Sequence, residues 1–459
     1  MSEVLEYAVR KSIRLGASQA EAFLTDDLRT NILIEKKQVK IGQVKRDRGI
    51  GIRVLVKKAD GATTGFGYLT DLSRNTITEA AKRAIATAKV RKADKDLKSF
   101  QMKQHEGKAG EIFDRKVAGT DASDLVEIGE SMLKETSRDP RVSTVSGNIY
   151  SSVSRVAVAN SLGISSNYRS TAFGGNMYVV AESDGSVGVG WESHSSTHYD
   201  RGKMIWVAKD AVDIAARQLN PRPIQSGSYD LVVDQEGFAD LLMNTFVQEL
   251  RADLVQKKQS PLAGRIGSES ASKTVSFIDD PTMPRLQGSK PFDTEGCPTK
   301  PRTIIDKGIL RGFLHNSYTS SKENTENTGN AMRYIMFGVK SEYALEPITG
   351  PHNLVLKPDR GKIEDLVREV KNGIFVRGFI GAHTSNIQSG DFSVAMDCML
   401  RIENGELAHP VKQAMIGGNM PAILKQIRVV GGNSKQVIMG PRMTLYAPTI
   451  LIEGVTVSA

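Results

Sequence analysis

The sequence has 459 residues, of which 39% are hydrophobic and 25% are charged. That length accommodates two or three domains with buried cores, and the lack of an uncharged apolar run of about 18 residues argues against a membrane span. Two cysteines are too few for a disulfide framework or a thiolate zinc site, and the first residues lack the apolar block of a signal peptide. We therefore expect a cytoplasmic protein with no membrane partner.

The net charge of +9 raises the question of a polyanionic partner. Basic side chains are dense in residues 36–58 and 82–98, and such patches can bind nucleic acid. However, 52 acidic residues are interleaved with the 61 basic ones, and no aromatic-plus-basic motif of a nucleic-acid module is present. The pattern indicates solvated strand and helix faces, so nucleic acid is not an expected partner.

Residues 1–100 are predicted to form an N-terminal α+β unit, a helix followed by an antiparallel meander and a second helix. Alternating apolar residues and the Asp60-Gly61 turn support the meander, and Asp71 or Ser73 is the candidate N-cap of the second helix. The predicted helices cover residues 2–15 and about 73–93, and the predicted strands cover residues 20–24, 30–36, 38–45, 49–57 and 62–68.

Residues 101–222 are predicted to form a second α+β unit of the N-terminal region. A charged, glycine-containing linker is expected over residues 94–119, and Asp121 or Ser123 is a candidate N-cap. Pro221 and Pro223 end the last helix. The predicted helices cover residues 121–137 and 203–219, and the predicted strands cover residues 142–150, 152–160, 165–182 and 186–197.

Residues 226–459 are predicted to form a larger β-rich C-terminal domain, so the fold class is α+β. The domain begins with a short strand at residues 231–233, a turn, and one long amphipathic helix that runs to about residue 258. A hairpin is predicted about Lys307-Gly308, between strands at residues 303–306 and 309–315. A further helix is expected at about residues 363–372.

His194 and His198 are four residues apart in a stretch that also contains Glu192 and Asp200. On a helix the two imidazoles would share a face and could bind a divalent metal. The Ser195-Ser196-Thr197 sequence between them favours a strand, where they would lie about 13 Å apart. We therefore expect polar strand residues in preference to a metal site.

The densest polar stretch in an apolar setting is GAHTSNIQSGDFS, residues 381–393. His383, Ser385 and Asp391 are the residue types of a hydrolytic triad, but no nucleophile-elbow motif surrounds Ser385. The alternative is a polar loop that binds an extended backbone or stabilises its own turns, for which the following side chains are suited: His383, Thr384, Ser385, Asn386 and Gln388.

Two pairs of carboxylates could perform acid–base chemistry or bind a metal weakly. Asp293 and Glu295 lie in DTEGCPT, where a turn or a salt-bridged loop is the favoured interpretation. Glu249 and Asp253 are four residues apart on the predicted long helix, where ion pairing on a solvated face is expected.

Several segments together resemble the TldD/PmbA family, which is named for modulation of DNA gyrase and for peptide-maturation proteases. The resemblance covers most of the chain and is strongest from Tyr229 onward. It is carried by the segments VVDQEGFADLLMN, LAGRIGSE, FDTEGCPTKPRTIIDKGILRGFLHNS, GFIGAHTSNIQSGDFS, IENGE and LYAPTILIEGVTVS.

The TldD kind of subunit in this family carries an HExxxH metal motif and a cysteine ligand near its C-terminus. On this sequence the first histidine falls on Asn244, the glutamate on Thr245, the second histidine on Glu249 and the cysteine near Met439. Asn244 and Thr245 cannot replace a zinc-bound imidazole and a water-activating carboxylate, although Glu249 could act as a ligand. No histidine lies between Tyr199 and Leu314.

The sequence therefore resembles the TldE/PmbA kind of subunit, which lacks the metal. The resemblance implies a non-catalytic subunit of a cytoplasmic metallopeptidase complex that degrades or processes unfolded peptides. The zinc is expected in a TldD-like partner and no cofactor in this chain, which could form a homodimer when alone. An alternative is a homodimeric regulatory protein that acts on DNA gyrase or another DNA-associated target, and a third reading is a self-sufficient hydrolase that uses His383 or a non-standard metal site.

Overall fold

A computed structural model describes residues 2–102, 107–335, 340–440 and 442–459. The N-terminal half alternates helices with long antiparallel strands. In chain order these elements are α1 (Ser2–Arg14), β1 (Gln19–Glu35), β2 (Gln38–Lys58), β3 (Gly61–Leu69), α2 (Arg74–Val90), α3 (Arg115–Gly119), α4 (Ala122–Thr136), β4 (Val142–Asn160), β5 (Ser165–Ser183), β6 (Ser186–Ser196) and α5 (Arg201–Arg217).

All six N-terminal strands belong to one antiparallel sheet, in the order β3-β2-β1-β4-β5-β6. The pairing of β1 with β4 along fifteen registered positions joins the two predicted meanders. β1, β2 and β4 are each one long strand where shorter strands were predicted, and this part of the prediction was wrong. Charged residues at the expected breaks pair across strands, as Arg46 does with Asp26 at 2.7 Å, and thereby continue the sheet.

The N-terminal helices cover one face of this sheet. One apolar core lies between the sheet and α1 and α2, and a second lies between the sheet and α4 and α5. Side chains of Ser73 and Asp121 cap α2 and α4, which confirms two predicted N-caps. The linker that was predicted over residues 94–119 contains α3, and its residues 103–106 lie outside the described residues. The helices leave the opposite face of the sheet to the C-terminal half.

The C-terminal half is rich in short strands. Its helices are α6 (Gln235–Asn244), α7 (Phe246–Glu249), α8 (Ala252–Gln256), α9 (Ser317–Glu323), α10 (Ile363–Arg368) and α11 (Met420–Gln426), with 3₁₀ turns at Glu342–Ala344 and Ala382–Thr384. Its strands are β7 (Gly227–Val233), β8 (Phe277–Asp279), β9 (Arg302–Asp306), β10 (Ile309–Leu310), β11 (Ala331–Met332), β12 (Ile348–Thr349), β13 (Asn353–Leu356), β14 (Asn372–Ile380), β15 (Asp391–Glu403), β16 (Glu406–Pro410), β17 (Met415–Asn419), β18 (Ile427–Val430), β19 (Lys435–Gly440), β20 (Met443–Ala447) and β21 (Ile450–Ser458). Within the described ranges, no helix is both long and apolar enough to cross a membrane.

Two larger sheets organise the C-terminal half. One has the order β10-β9-β8-β13-β20-β19, so that β19 is an edge strand. In the other, β14 pairs with both β7 and β15, and the pairings β14-β7-β21-β17-β15 close into a ring. A large apolar core fills the space about these strands and α6. Together with the N-terminal sheet this confirms an α+β fold with a β-rich C-terminal part, and the hairpin about Lys307-Gly308 is also confirmed.

The predicted long helix after β7 is wrong, because the chain forms three short helices there. At Thr245 the backbone leaves the helical region, with φ −128° and ψ −91°, and its hydroxyl donates to the Leu241 carbonyl at 2.5 Å. Arg251 is extended and bridges to Leu314, whose carbonyl accepts from the Ala252 N–H at 3.1 Å and whose N–H donates to the Leu250 carbonyl at 3.0 Å. Tertiary pairing therefore overrides the local apolar period.

A buried cluster of ions joins the two halves. Arg53 of β2 pairs with Glu21 of β1 at 3.0 Å and with Glu295 at 2.7 Å, and Arg333 also pairs with Glu21, at 2.9 Å. Asp293 accepts backbone N–H groups of Glu295, Cys297 and Ala331. The favoured interpretation of DTEGCPT as a salt-bridged loop is thus confirmed, and its partner is the N-terminal sheet.

We expect that replacing Glu21 with Ala destabilises the protein by roughly 3–5 kcal/mol, because two buried guanidinium groups lose a shared carboxylate. The measurement is the free energy of unfolding in urea. Glu6→Ala is the control, since Glu6 forms an exposed pair with Arg10 at 3.3 Å, and such pairs contribute about 0–1 kcal/mol. Equal stability of the two variants would contradict the prediction.

Candidate functional site

Two neighbouring cavities lie between the N-terminal sheet and the C-terminal half. The first, of about 760 Å³, is lined by Asn244 and is called the Asn244 cavity below. The second, of about 630 Å³, is lined by Trp206 and is called the Trp206 cavity. His194 and Ser195 of β6 line both cavities, so this short stretch of strand separates them.

The N-terminal sheet provides a polar wall for the Asn244 cavity. Successive side chains of a strand point to opposite faces, and on β4 the buried Ile149 enters the helix-covered core while Asn148 and Tyr150 line the cavity. Asn176 on β5 is in register with Asn148, and Ser193 on β6 is in register with Asn176. The amide and hydroxyl groups that line the cavity are those of Asn148, Tyr150, Ser152, Asn176, Ser193, Ser195, Asn244 and Gln287.

The C-terminal half provides the opposite side of this cavity through α6 and β19. The carboxylate of Asp234 caps α6, which fixes the start of the helix directly after the buried strand β7. Glu236, Asp240 and Asn244 then line the cavity from α6, and Met439 lines it from the edge strand β19. Residues that are about 200 positions apart in the sequence therefore meet at one cavity.

A group of ion pairs stands between the two cavities. Lys435 of β19 pairs with both Glu192 and Glu236, and its distance to the Glu236 carboxylate is 2.8 Å. Arg377 of β14 pairs with Glu192 at 2.9 Å and lies 3.5 Å from the carboxylates of Asp210 and Asp234. These contacts connect β6 and α5 with β14, β19 and α6, and they hold the two halves at a fixed separation.

The buried ion pairs change the protonation equilibria of the surrounding groups. Burial alone would raise the pKa of Glu192, but Lys435 and Arg377 outweigh it and hold that pKa below its ordinary value. Burial and the neighbouring Glu192 raise the pKa of Asp210 to about 6. Burial lowers the pKa of His194 to about 4, so its imidazole is neutral near pH 7. On the Asn244 side, burial raises the pKa of Asp240 to about 6.

Of the four positions that the resemblance assigns to lost metal ligands, two line the Asn244 cavity and two are buried in the core. Asn244 and Met439 line the same cavity. Thr245 is fully buried and its hydroxyl is committed to the Leu241 carbonyl, and Glu249 is fully buried as well. The aligned positions of the first histidine and the cysteine therefore face the cavity, while the other two side chains are in the core.

These residues do not fit a zinc ion. Zinc in proteins takes imidazole, thiolate or carboxylate ligands, whereas the two aligned positions that line the cavity offer an amide at Asn244 and a thioether at Met439. Among the described residues, no group of three or more His, Cys, Asp or Glu side chains is placed to hold a metal. The loss of a metal-binding function at these positions stays a prediction.

The prediction that Glu249 and Asp253 form ion pairs on a solvated helix face is wrong for Glu249. Asp253 does pair with Arg251 at 2.9 Å, but the Glu249 carboxylate is buried and neither oxygen has a hydrogen-bond partner among the described residues. The break of the helix at Thr245 explains the difference, and burial raises the pKa of Glu249 to about 8.

His194 and His198 have different surroundings. His194 is on β6, and its Nε2 is buried without a hydrogen-bond partner among the described residues. His198 follows the strand, and its Nδ1 shares a hydrogen bond of 2.9 Å with the hydroxyl of Thr197. The expectation of polar residues on a strand is confirmed for His194, which in addition belongs to both cavity linings.

The 381–391 segment lies outside the linings of the two cavities. Its polar groups serve its own turns: Ser385 donates to the Ala382 carbonyl at 2.6 Å, Thr384 donates to Gly381 at 2.8 Å, and Asn386 accepts from the Gln388 N–H at 3.0 Å. His383, Thr384, Asn386 and Gln388 are exposed. Peptide binding by this segment remains a prediction, and the Ser385 hydroxyl is not engaged as a triad would require.

Several residues of the site were not identified from the sequence. Asp210, Asp240, Arg377 and Lys435 lie on separate helices and strands with no local motif. The signal that could have indicated the polar wall is the alternation from Asn148 to Ser152, where Asn, Tyr and Ser occupy every second position. The ion pairs between the two halves depend on long-range packing, which that alternation does not specify.

The geometry defines a protein whose two halves surround a polar cavity, at which the part of the chain that the structure describes places no group of three or more metal-binding side chains. Family models of the PmbA/TldA metallopeptidases match domain 1 at residues 20–88, the central domain at residues 115–219 and the C-terminal domain at residues 226–459. The chain therefore belongs to the PmbA/TldD family.

Relatives with known sequences extend over nearly the whole chain. The metalloprotease PmbA homolog of Haemophilus influenzae is 24% identical over 100% of this chain and 96% of its own. A metalloprotease TldD homolog of Buchnera aphidicola from Acyrthosiphon pisum is 25% identical over 88% of this chain and 83% of its own.

Solved structures share the fold. TldE from Thermococcus kodakarensis superposes with a TM-score of 0.88 at 21% identity, covering 99% of this chain and 100% of its own. A Thermotoga maritima protein described as a candidate modulator of a DNA gyrase superposes with a TM-score of 0.86 at 24% identity, covering 99% of both chains. At these identities the likeness establishes a common fold.

Replacing Glu249 with Gln should stabilise the protein in a pH-dependent way. The pKa of Glu249 is about 8 in the folded chain and about 4.5 when unfolded. The free energy of unfolding therefore falls as the pH rises through this interval, because the unfolded chain gives up the proton more readily. We expect Gln and Glu to be nearly equal near the lower pKa, and the Gln variant to be a few kcal/mol more stable above the upper one, since one pKa unit corresponds to about 1.4 kcal/mol.

The measurement is urea unfolding across that pH range. Glu269→Gln is the matched control because Glu269 is exposed, and its stability difference from the unmodified chain should stay flat. A Glu249→Gln difference that is equally independent of pH would disprove the buried, proton-binding carboxyl.

Proposed function

We propose that this chain is a TldE/PmbA-like, non-catalytic subunit of a cytoplasmic metallopeptidase complex that degrades or processes unfolded peptides. The observation that carries the proposal is the polar Asn244 cavity. An amide and a thioether stand there at two positions that the family resemblance assigns to metal ligands. The cavity is retained, while the chemistry for activating a water molecule is absent from these residues.

The lining of the cavity suits an unfolded peptide. Amide and hydroxyl side chains can both donate to and accept from a peptide backbone without regard to its sequence. The edge strand β19 adds main-chain groups beside the cavity, and an extended peptide can pair with such an edge. Exposed apolar Ile438 on β19 offers contact for side chains of the peptide.

The zinc ion and the hydrolytic step would come from a TldD-like partner. The chain aligns both with a protein named TldD homolog and with one named PmbA homolog, and its fold matches a TldE structure. A heterodimer would place this cavity against the partner's metal, so that the peptide is enclosed during cleavage. In the absence of the partner, self-association into a homodimer is the expected alternative state.

Action on DNA gyrase is the second function that the sequence suggested, and a fold relative is described in those terms. The charges on β1 and β2 argue against direct contact with DNA. Arg46 and Arg48 share the single carboxylate of Asp26, at 2.7 and 3.8 Å, and Lys40 pairs with Glu35 at 2.8 Å, so part of the positive charge of these strands is compensated within the sheet. The peptide-holding function is therefore the one we adopt.

The test is a cleavage assay on an unfolded peptide with this chain, with a purified TldD-like metallopeptidase, and with both together. We expect cleavage only by the mixture, and its loss after addition of a zinc chelator. Cleavage by this chain alone that a chelator abolishes would overturn the proposal, because the active metal would then reside here.

A variant of this chain tests whether the cavity takes part. Asn176→Trp fills the Asn244 cavity and should lower kcat/KM of the mixture roughly tenfold, which corresponds to about 1.4 kcal/mol, mainly through a higher KM. Asn167→Trp is the matched control, since Asn167 is exposed on the same strand and does not line the cavity. Unchanged cleavage with Asn176→Trp would exclude peptide binding in this cavity.

A further inference from the structure

The Asn244 cavity has a cationic group held in place on its N-terminal wall. Arg29 of β1 lines the cavity, and its guanidinium lies 4.2 Å from the centre of the Tyr150 ring. The Tyr150 hydroxyl in turn accepts a hydrogen bond of 3.1 Å from Gln287. A guanidinium stacked on a fixed ring loses little freedom on binding a ligand.

Arg29 has no carboxylate partner among the described residues. This distinguishes it from Arg442, the other arginine of the same cavity, which pairs with Glu342 at 2.7 Å and with Asp27 at 3.0 Å. The five N–H donors of a guanidinium match the two oxygens of a carboxylate, and those of Arg29 remain available for a ligand.

The C-terminal side of the cavity carries the opposite charge. Glu236 is engaged by Lys435, whereas the side chain of Asp240 accepts the backbone N–H of Phe379, at 3.2 Å, and has no ion-pair partner within the described ranges. An anionic group of a ligand is therefore repelled from α6 and attracted towards β1. The electrostatic potential across the cavity therefore becomes more positive from α6 towards β1.

We propose that Arg29 binds a carboxylate of the peptide and thereby fixes its position in the cavity. This inference rests on the proposed peptide-holding function and adds a preference to it. The carboxylate is either the C-terminal group of the peptide or the side chain of an aspartate or glutamate. Both would form the same bidentate pair with the guanidinium.

The experiment is fluorescence polarisation with the full-length chain and three unfolded peptides labelled at the N-terminus. One has a free C-terminus and no acidic residue, the second has an amidated C-terminus and no acidic residue, and the third is amidated with one central glutamate. We expect at least one carboxylate-bearing peptide to bind roughly tenfold more tightly than the peptide without one. The tighter of the two identifies the source of the carboxylate.

Three variants assign the preference to Arg29. Arg29→Gln should remove it, and Arg29→Lys should keep part of it through the charge alone. Arg74→Gln is the matched control, because Arg74 is an exposed arginine over the ring of Tyr7, at 5.4 Å, and lies outside the cavity; it should leave the preference unchanged.

Each outcome distinguishes the inference from the function on which it rests. Equal binding of all three peptides by the unmodified chain, or a preference that persists in Arg29→Gln, overturns the role of Arg29 and leaves the peptide-holding function intact. Failure of all three peptides to bind the unmodified chain overturns both.

Discussion

The charged contacts about Lys435 and Arg377 fix the relation between the two halves of the molecule. Lys435 holds Glu192 of the N-terminal sheet and Glu236 of α6 together, and Arg377 joins the same sheet to the C-terminal ring of strands. Burial of these ions is tolerable because each has an oppositely charged partner. Glu192, Arg377 and Lys435 line the Trp206 cavity and Glu236 lines the Asn244 cavity, so this group of ions connects the walls of both cavities.

The N-terminal wall of the Asn244 cavity is rich in polar side chains. Asn148, Tyr150 and Ser152 face the Asn244 cavity at every second position of β4, and Asn176 of β5 with Ser193 and Ser195 of β6 add further amide and hydroxyl groups beside the apolar Ala172 and Trp191. Cavities without a binding function fill readily with apolar side chains that improve packing. A peptide-holding surface provides a reason for a polar lining of this size.

The local elements could be predicted from the sequence, while their long-range partners could not. Ser73 and Asp121 predicted the starts of two helices, and Lys307-Gly308 predicted a hairpin turn, because caps and turns depend on a few neighbouring residues. The pairing of β1 with β4, the break at Thr245 and the burial of Glu249 depend on segments far away in the chain. Asn244 and Met439 were connected through family resemblance, since no local pattern links α6 with β19.

The closed ring of strands has a consequence for how the protein is made. β7 begins the C-terminal half, and its pairing partner β21 is the last strand of the chain. The N-terminal sheet has its own cores and can fold as soon as α5 has emerged from the ribosome. The ring can close only after β21 has been synthesised, although β7 can pair earlier with β14.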